Sequence, residues 1–445
     1  HKIEIDKTIK AELNYDISPD DHPANNPALA SAEFDILTSK YTSDLSTKSS
    51  GIKNYPLFMI IAPDTFHNTL IDFITWKRQM GFYVEFLSYE SLGESPLGVR
   101  IFLQERYDSD YFPEYLLLVG DHEQLPAWES GIPDDSPVDN SHITDLYYAA
   151  ITKDDFLPDL LLGRFPARTP SELDNMINKT ISYESLSSDN ASYLTDAMLV
   201  AGYSSDNAHI TYGLPTINYA QDNYLNSSHN YDKIWRLIGN YATSTELIAA
   251  INSGLSFINY TGHGSSTTWN NPPLNTSQIS SLLNNSHYPL VISNACLTGN
   301  FQENNSFGES WLRSINGGAI GFIGATNETY WDEDLYWACG SFNHAGDGLT
   351  PSFEESGFGA YDIPFTSTDP ITQASLITYG NLAVEESIVA GESVYLPSNY
   401  YWEVYTLLGD PSLLNYWGQP KEIIAQIPSV LNQDLMQIFI PIQNP

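Results

Sequence analysis

Basic residues are scarce in this 445-residue chain, with 18 Lys and Arg against 55 Asp and Glu. The resulting formal charge of -37 repels nucleic acid and anionic membrane surfaces. We therefore expect no nucleic-acid partner. The same negative charge would attract cationic ligands or calcium. Alternatively, the acidic residues only form a solvated surface.

Cysteines and long apolar runs are also few. The two cysteines, Cys296 and Cys339, cannot specify a disulfide framework, and their number does not separate an oxidising from a reducing compartment. No apolar run approaches the roughly 18 residues that a membrane-spanning helix needs, so no membrane span is predicted. The chain begins with His1 rather than Met, so we expect that an upstream segment has been removed, with a secretory signal as one candidate.

The length suffices for two or three domains. Residues 1–53 are polar and lack a sustained hydrophobic period, which predicts a leader or pro-segment. Strand and helix patterns then alternate and predict a first α/β subdomain over 54–190 and a second over 191–414. Residues 415–445 form a C-terminal extension, either an edge strand or the opening of a further domain.

Short apolar runs with β-branched residues and flanking Gly or Pro predict the strands. They lie at 57–62, 82–86, 115–119 and 159–163, and then at 197–201, 233–237, 255–260, 290–295 and 319–323. Strands that alternate with helices are typical of mainly parallel sheets flanked by helices. The ligand crevice of such sheets lies at the carboxyl ends of the strands.

Two of these strand ends carry reactive side chains. The 255–260 strand runs into Gly262, His263 and Gly264, and the 290–295 strand runs into Cys296. A thiol with an ordinary pKa is mostly protonated at neutral pH, and a nearby histidine can ionise it. We expect His263 to be that base, and the amides of Gly264 and Cys296 to hold an oxyanion. The competing interpretation is a buried packing cysteine, which is how we interpret Cys339.

Five motifs around these positions resemble the gingipain family of cysteine peptidases, over roughly residues 55–415. They are Leu118-Val-Gly-Asp-His122, Gly163-Arg-Phe165, Tyr260-Thr-Gly-His-Gly-Ser265, Asn294-Ala-Cys-Leu-Thr-Gly-Asn-Phe301 and Gly409-Asp-Pro-Ser-Leu-Leu414. The resemblance implies a caspase-like α/β fold in two subdomains, endopeptidase activity and a structural calcium ion. It does not identify the calcium ligands.

The resemblance also assigns roles to individual residues. Cys296 is similar to the family nucleophile and His263 to its general base. A third, orienting carboxylate is expected after the 197–201 strand, and Asp206 is the best candidate there. Arginine-specific members have a glutamate in this neighbourhood that this sequence does not match cleanly.

The substrate pocket is predicted in the same way. Its candidate residues resemble the primary pocket of lysine-specific members of the family and are Thr261, Asn294, Tyr330, Trp331 and Asp334. Asp334 would pair with a substrate ammonium group, and Trp331 would cover its aliphatic stem. Alternatively, residues 332–334 are an acidic helix start or a set of calcium ligands.

The lysines are unevenly distributed. Six of the 11 lie within residues 1–53, and none lies between Lys233 and Lys421. In an enzyme that cuts after lysine, this distribution would make the catalytic half resistant to self-cleavage and leave the leader cleavable. We therefore hypothesise that the leader is a pro-segment processed at one of its lysines. Chance in a lysine-poor chain is the competing explanation.

Together these observations predict a secreted or cell-surface cysteine endopeptidase that acts on proteins and peptides with Lys or Arg at the cleavage site, lysine preferred. A second hypothesis is a processing peptidase or transpeptidase of narrow specificity that uses the same dyad. A third, suggested by 29 Tyr and 9 Trp, is a non-catalytic protein that binds surfaces or glycans.

Overall fold

The computed structural model describes residues 56–109, 111–130, 141–152, 155–187, 190–343, 345–356, 358–367, 370–393, 396–420, 424–425 and 442–443. The predicted leader at 1–53 lies outside these ranges, as does most of the predicted C-terminal extension.

Seventeen strands occur in the described residues. They are β1 Leu57–Ala62, β2 Tyr83–Ser88, β3 Tyr115–Val119, β4 Trp128–Ser130, β5 His142–Thr144, β6 Leu161–Phe165, β7 Asp196–Gly202, β8 Lys233–Gly239, β9 Phe257–Thr261, β10 Gly264–Ser265, β11 Thr268–Asn270, β12 Pro273–Asn275, β13 Leu290–Asn294, β14 Gly321–Ala325, β15 Tyr405–Leu408, β16 Ile424–Ala425 and β17 Ile442–Gln443.

Ten of the strands form one sheet in the order β2-β1-β3-β6-β15-β14-β13-β9-β7-β8. Neighbours run parallel except β14 and β15, which are antiparallel. The strands on the two sides of that junction therefore run in opposite directions. As a result, the carboxyl ends of β9, β13 and β14 lie at the opposite edge of the sheet from those of β3 and β6.

Twelve α-helices are described. They are α1 His67–Gln79, α2 Pro96–Asp108, α3 Pro170–Glu184, α4 Leu214–Asn223, α5 Ser244–Asn252, α6 Thr276–Ile279, α7 Phe307–Arg313, α8 Trp331–Cys339, α9 Phe353–Ser356, α10 Ile363–Thr366, α11 Gln373–Ala390 and α12 Tyr400–Val404. One turn of π-helix at His209–Gly213 leads into α4. None of these described helices is long and apolar enough to cross a membrane.

Local sequence signals explain where several helices begin. The Thr169 hydroxyl accepts a hydrogen bond from the Glu172 amide at the start of α3, and Pro170 occupies the first turn. At α5, Thr243 and Glu246 exchange the two hydrogen bonds of a capping box. These contacts satisfy amide groups that would otherwise lack partners at the helix start.

The predicted α/β class with a mainly parallel sheet is confirmed. All nine predicted strands are present, with ends that differ by a few residues, and the described structure adds β15 to the main sheet and the 18-residue helix α11. Strands of the two predicted subdomains meet at β15, which pairs with β6 on one side and β14 on the other. The boundary near residue 190 stays a prediction.

A buried ion cluster fixes the region just beyond β15. Lys77 of α1 lies 2.6 Å from Asp410 and 2.7 Å from Glu184, and all three side chains are shielded from solvent. Burial alone would lower the pKa of Lys77, but the Asp410 and Glu184 carboxylates raise it above its ordinary value. The lysine therefore stays charged and joins α1, α3 and the chain after β15.

We predict that Lys77→Met destabilises the fold by about 3 to 5 kcal/mol, because it leaves buried carboxylates without a cation. The midpoint of urea unfolding measures this effect. Lys233→Met is the matched control, because Lys233 is the exposed first residue of the edge strand β8. The substitution removes a contact with the Trp235 ring, worth about 1 kcal/mol or less, and a solvent-screened attraction to Asp196. Equal shifts of the urea midpoint in the two variants would contradict the role of Lys77 as the cation that the buried carboxylates require.

Candidate active site

Two neighbouring strand ends carry the predicted histidine and cysteine. Strands β9 and β13 pair in parallel with Thr261 opposite Asn294, and the Gly262 amide donates to the Asn294 carbonyl at 3.2 Å. His263 and Cys296 each follow two residues after that pair. Because adjacent strands lie about 4.8 Å apart, both residues leave the sheet at the same level and on adjacent paths.

Cys296 lies in a turn directly after β13 and is half-buried. The Thr329 amide donates to its sulfur at 3.4 Å, and the thiol donates to the Thr329 carbonyl at 3.5 Å. Burial raises the pKa of the Cys296 thiol, the Thr329 amide opposes this shift, and the Asp334 and Glu328 carboxylates add to it. The resting thiol is therefore neutral and needs a base before it can react.

The residue after Cys296 has an unusual backbone. Leu297 has a φ of 61°, in the left-handed region that branched and bulky residues rarely adopt. Its amide donates to the Asn327 carbonyl at 2.9 Å, which holds the turn in this conformation. Strain of this kind persists where the surroundings fix it, and it is common at functional sites.

The two predicted oxyanion residues lie against each other. Gly264 begins β10, and a Cβ atom added there would lie 2.7 Å from Thr298 Cγ2 and 3.1 Å from the Cys296 carbonyl oxygen. The Cys296 amide has no acceptor among the described residues. Only glycine allows the chain after His263 to approach the Cys296 turn this closely.

The imidazole of His263 is exposed and contacts two side chains. Its Nε2 atom lies 3.0 Å from the Ser204 hydroxyl, and its ring meets the Trp331 ring edge-on at 5.5 Å. The Tyr260 hydroxyl donates to the His263 carbonyl at 2.8 Å. The Nδ1 atom has no hydrogen-bond partner in the part of the chain that the structure describes.

Asp206 lies in the loop after β7, as predicted, but the structure gives no direct hydrogen bond between it and His263. The Ser204 hydroxyl donates to Asp206 instead, and the Ala208 amide donates to the same carboxylate oxygen at 3.1 Å. The Ser204 hydrogen bond, followed by the Ala208 amide, holds the pKa of Asp206 below its ordinary value. Sequence reasoning missed Ser204, whose only signal was a serine two positions before the candidate carboxylate.

The Asp334 carboxyl is fully enclosed at the start of α8. It accepts hydrogen bonds from the hydroxyls of Tyr405 at 2.8 Å, Thr329 at 2.9 Å and Tyr401 at 3.0 Å. Burial raises the pKa of Asp334 to about 7, although these hydroxyls lower it. The two tyrosines were not predicted, because they come from α12 and β15, about 70 positions further along the chain.

The other predicted pocket residues border Asp334. The buried Asn294 amide donates to the Asp334 carbonyl at 3.3 Å, and its Oδ1 atom has no hydrogen-bond partner among the described residues. Thr261, paired with Asn294 in the sheet, is also buried. The Tyr330 amide donates to the Tyr401 hydroxyl at 3.1 Å. Trp331, the first residue of α8, contacts the His263 ring.

The calcium ion expected from the resemblance has no evident ligand set. Among the described residues, no group of three or more His, Cys, Asp or Glu side chains is placed to hold a metal ion. Residues 332–334 begin α8 and do not form such a group, since Asp334 is enclosed by hydroxyls. Calcium therefore stays a prediction.

Solved structures define the fold class. A structure described as "Structure of Protease" superposes with a TM-score of 0.80 at 32% identity, covering 88% of this chain and 85% of that chain. The crystal structure of the Arg-specific cysteine proteinase gingipain R gives a TM-score of 0.70 at 23% identity over 85% of this chain and 82% of that chain, which supports the fold alone. The predicted caspase-like α/β class is confirmed.

The family follows from the sequence. Residues 53–416 match the family described as peptidase family C25, and the chain belongs to that family. Lys-gingipain W83 of Porphyromonas gingivalis is 34% identical over 403 residues, which are 88% of this chain and 22% of the relative. Gingipain R2 of the same species is 28% identical over 288 residues, 61% of this chain and 37% of the relative. The chain thus spans about a fifth of the Lys-gingipain length, and the predicted family resemblance is confirmed.

We predict that Gly264→Ala destabilises the protein by about 1 to 3 kcal/mol and slows alkylation of Cys296 by iodoacetamide several-fold, because the added methyl group pushes the Cys296 turn away from His263. Mass spectrometry follows the alkylation, and Cys339 is fully buried and does not interfere. Gly346→Ala is the control, since its Cβ would meet its nearest neighbour, the Tyr212 hydroxyl, at 3.6 Å. An unchanged rate of Cys296 alkylation in Gly264→Ala would show that Gly264 does not pack tightly against the Cys296 turn.

Proposed function

We propose that this chain is a cysteine endopeptidase that cleaves proteins and peptides after a basic residue, lysine preferred. The observation that carries the proposal is the pairing of Thr261 with Asn294, which puts His263 and Cys296 at the same level on adjacent strand ends. Membership of peptidase family C25 supports the class of reaction. The likeness to Lys-gingipain supports the preference for lysine.

The reaction begins with the neutral Cys296 thiol. His263 takes the thiol proton on Nδ1, and the thiolate attacks the scissile carbonyl carbon. The amides of Gly264 and Cys296 hold the oxyanion of the tetrahedral intermediate. The intermediate collapses to a thioester as the leaving amine takes the proton from His263. Water, activated by the same imidazole, then hydrolyses the thioester and restores the thiol.

The lysine preference rests on the acceptors around Asp334. A carboxylate offers about four lone-pair sites, and three hydroxyls use three of them. The Asn294 Oδ1 atom is a second buried acceptor without a partner among the described residues. A lysine ammonium group has three donors on a compact charge, whereas arginine has a planar fork that needs more room. The Trp331 ring would pack on the aliphatic stem.

We propose that the enzyme acts outside the cell or at its surface and carries a structural calcium ion, as the family resemblance implies. Cell fractionation tests the first point. For the second, thermal unfolding is measured with calcium and with a chelator. A melting temperature that does not depend on calcium would remove the ion from the proposal.

We predict that wild type cleaves a fluorogenic peptide with lysine at the cleavage site faster than its arginine counterpart. Cys296→Ala should lose turnover by about 10⁴-fold or more. Asp334→Asn should lower kcat/KM for the lysine peptide by about 100-fold and remove the preference. Its melting temperature at pH 8 should not fall, because the substitution removes a buried charge without a cation.

The other outcomes of this assay separate the alternatives. Arginine preference would keep the dyad and remove the Asp334 pocket from the proposal. No cleavage of either peptide, with Cys296 still labelled by a lysyl acyloxymethyl ketone, would favour a processing peptidase or transpeptidase of narrow specificity. Absence of both cleavage and labelling would favour a non-catalytic binding protein.

We predict a pH dependence of KM that is specific to lysine substrates. Burial raises the pKa of Asp334 to about 7 in the free enzyme, and a bound ammonium group favours the ionised carboxylate. Below pH 7 the carboxyl group must release a proton before it pairs with the substrate. KM for the lysine peptide should therefore rise by up to about tenfold per pH unit as the pH falls below 7. In Asp334→Asn this dependence should disappear, and a persisting slope would assign it to another group.

A further inference from the structure

We infer that Ser204 is a positioning residue that bridges Asp206 and His263 and fixes which ring nitrogen of His263 carries a proton. The inference rests on the proposed peptidase function, because it concerns the base in that reaction. Its structural part, the protonation state of the ring, can be tested without any turnover.

The bridge consists of two hydrogen bonds at one hydroxyl. The Ser204 oxygen lies 3.0 Å from His263 Nε2 and also donates to Asp206 Oδ1. Ser204 is 3% exposed, so water does not readily replace either contact. Its backbone amide donates to Nδ1 of the buried His209 at 3.1 Å, which fixes the loop that carries the hydroxyl.

Counting protons gives the direction of each hydrogen bond. A serine hydroxyl has one proton to donate, and an ionised carboxylate only accepts. The hydrogen bonds from Ser204 and Ala208 hold the pKa of Asp206 low, so it is ionised at neutral pH. The Ser204 proton therefore points to Asp206, and the hydroxyl oxygen must accept from His263. It follows that Nε2 of His263 carries a hydrogen.

This assignment leaves Nδ1 as the basic nitrogen of the neutral ring. Nδ1 has no partner among the described residues, so it is available to take the Cys296 proton. When it does, the ring becomes an imidazolium that still donates from Nε2 to Ser204. The hydroxyl proton remains on Ser204 throughout, and the Asp206 charge stabilises the imidazolium through the aligned hydroxyl.

Asp206 acts on the His263 ring through the Ser204 hydroxyl. The carboxylate is exposed, and no hydrogen bond joins it directly to His263 in the described structure. A solvated charge at a surface is screened and does not by itself orient a ring. Ser204 supplies the directional contact, so the two residues should act as one unit.

The kinetic test is a double-mutant cycle. Ser204→Ala and Asp206→Ala should each lower kcat by about 10- to 100-fold with little change in KM, because the base is misoriented while the pocket is intact. The double variant should be no slower than the slower single variant. Ser204→Thr keeps the hydroxyl and should retain most of the activity that Ser204→Ala loses. Ser205→Ala changes the exposed neighbouring residue and should match wild type. Losses that multiply in the double variant would overturn the inference.

The spectroscopic test needs no activity. In Cys296→Ala protein labelled with ¹⁵N-histidine, the His263 signals are identified by their absence in a His263→Gln variant. They should report a hydrogen on Nε2, and Ser204→Ala should shift the ring towards a mixture of tautomers while Ser205→Ala does not. A hydrogen on Nδ1 in the parent protein would overturn the inference. If wild type cleaves no peptide but the ring behaves as described, the proposed function fails and the bridge stands.

Discussion

The in-register pairing of β9 with β13 is the constraint on which the whole site depends. A slip of one residue would turn every side chain of one strand to the opposite face of the sheet. It would also move Cys296 away from His263 along the strand direction by more than 3 Å. The pairing of Thr261 with Asn294 therefore sets the relative positions of the proposed nucleophile and the proposed base before any side-chain contact is made.

Buried carboxylates in this fold have contrasting partners. The carboxylates of Asp145 and Asp410 each face a buried cation, Arg164 at 2.6 Å and Lys77 at 2.6 Å. These pairs hold strands and helices together. Asp334, in contrast, is surrounded by hydroxyls and has no cation partner among the described residues. A buried carboxyl group without a cation destabilises the folded protein when it ionises. This arrangement is expected where a ligand supplies the positive charge.

Much of the fold was predictable because its strands are short apolar runs with β-branched residues and flanking Gly or Pro. Several of the family motifs lie where these strands end. The same reasoning placed His263 and Cys296 at neighbouring strand ends. It could not find Tyr401 and Tyr405, because only the antiparallel insertion of β15 brings them to Asp334, and that strand has just four residues. It also missed Ser204, since a hydroxyl that bridges two polar groups leaves no periodic pattern in a sequence.

The place of β15 in the sheet has a consequence for the order of events during synthesis. This strand is formed by residues 405–408, yet it lies in the middle of the sheet between β6 and β14. A ribosome must therefore make the chain through Leu408 before the two sides of the sheet can join and before Tyr405 can reach Asp334. The nascent chain can form β9 and β13 earlier, but the predicted pocket stays incomplete until Tyr401 and Tyr405 have been made. The order of synthesis therefore delays completion of the predicted pocket until the last strand to join the middle of the sheet has been made.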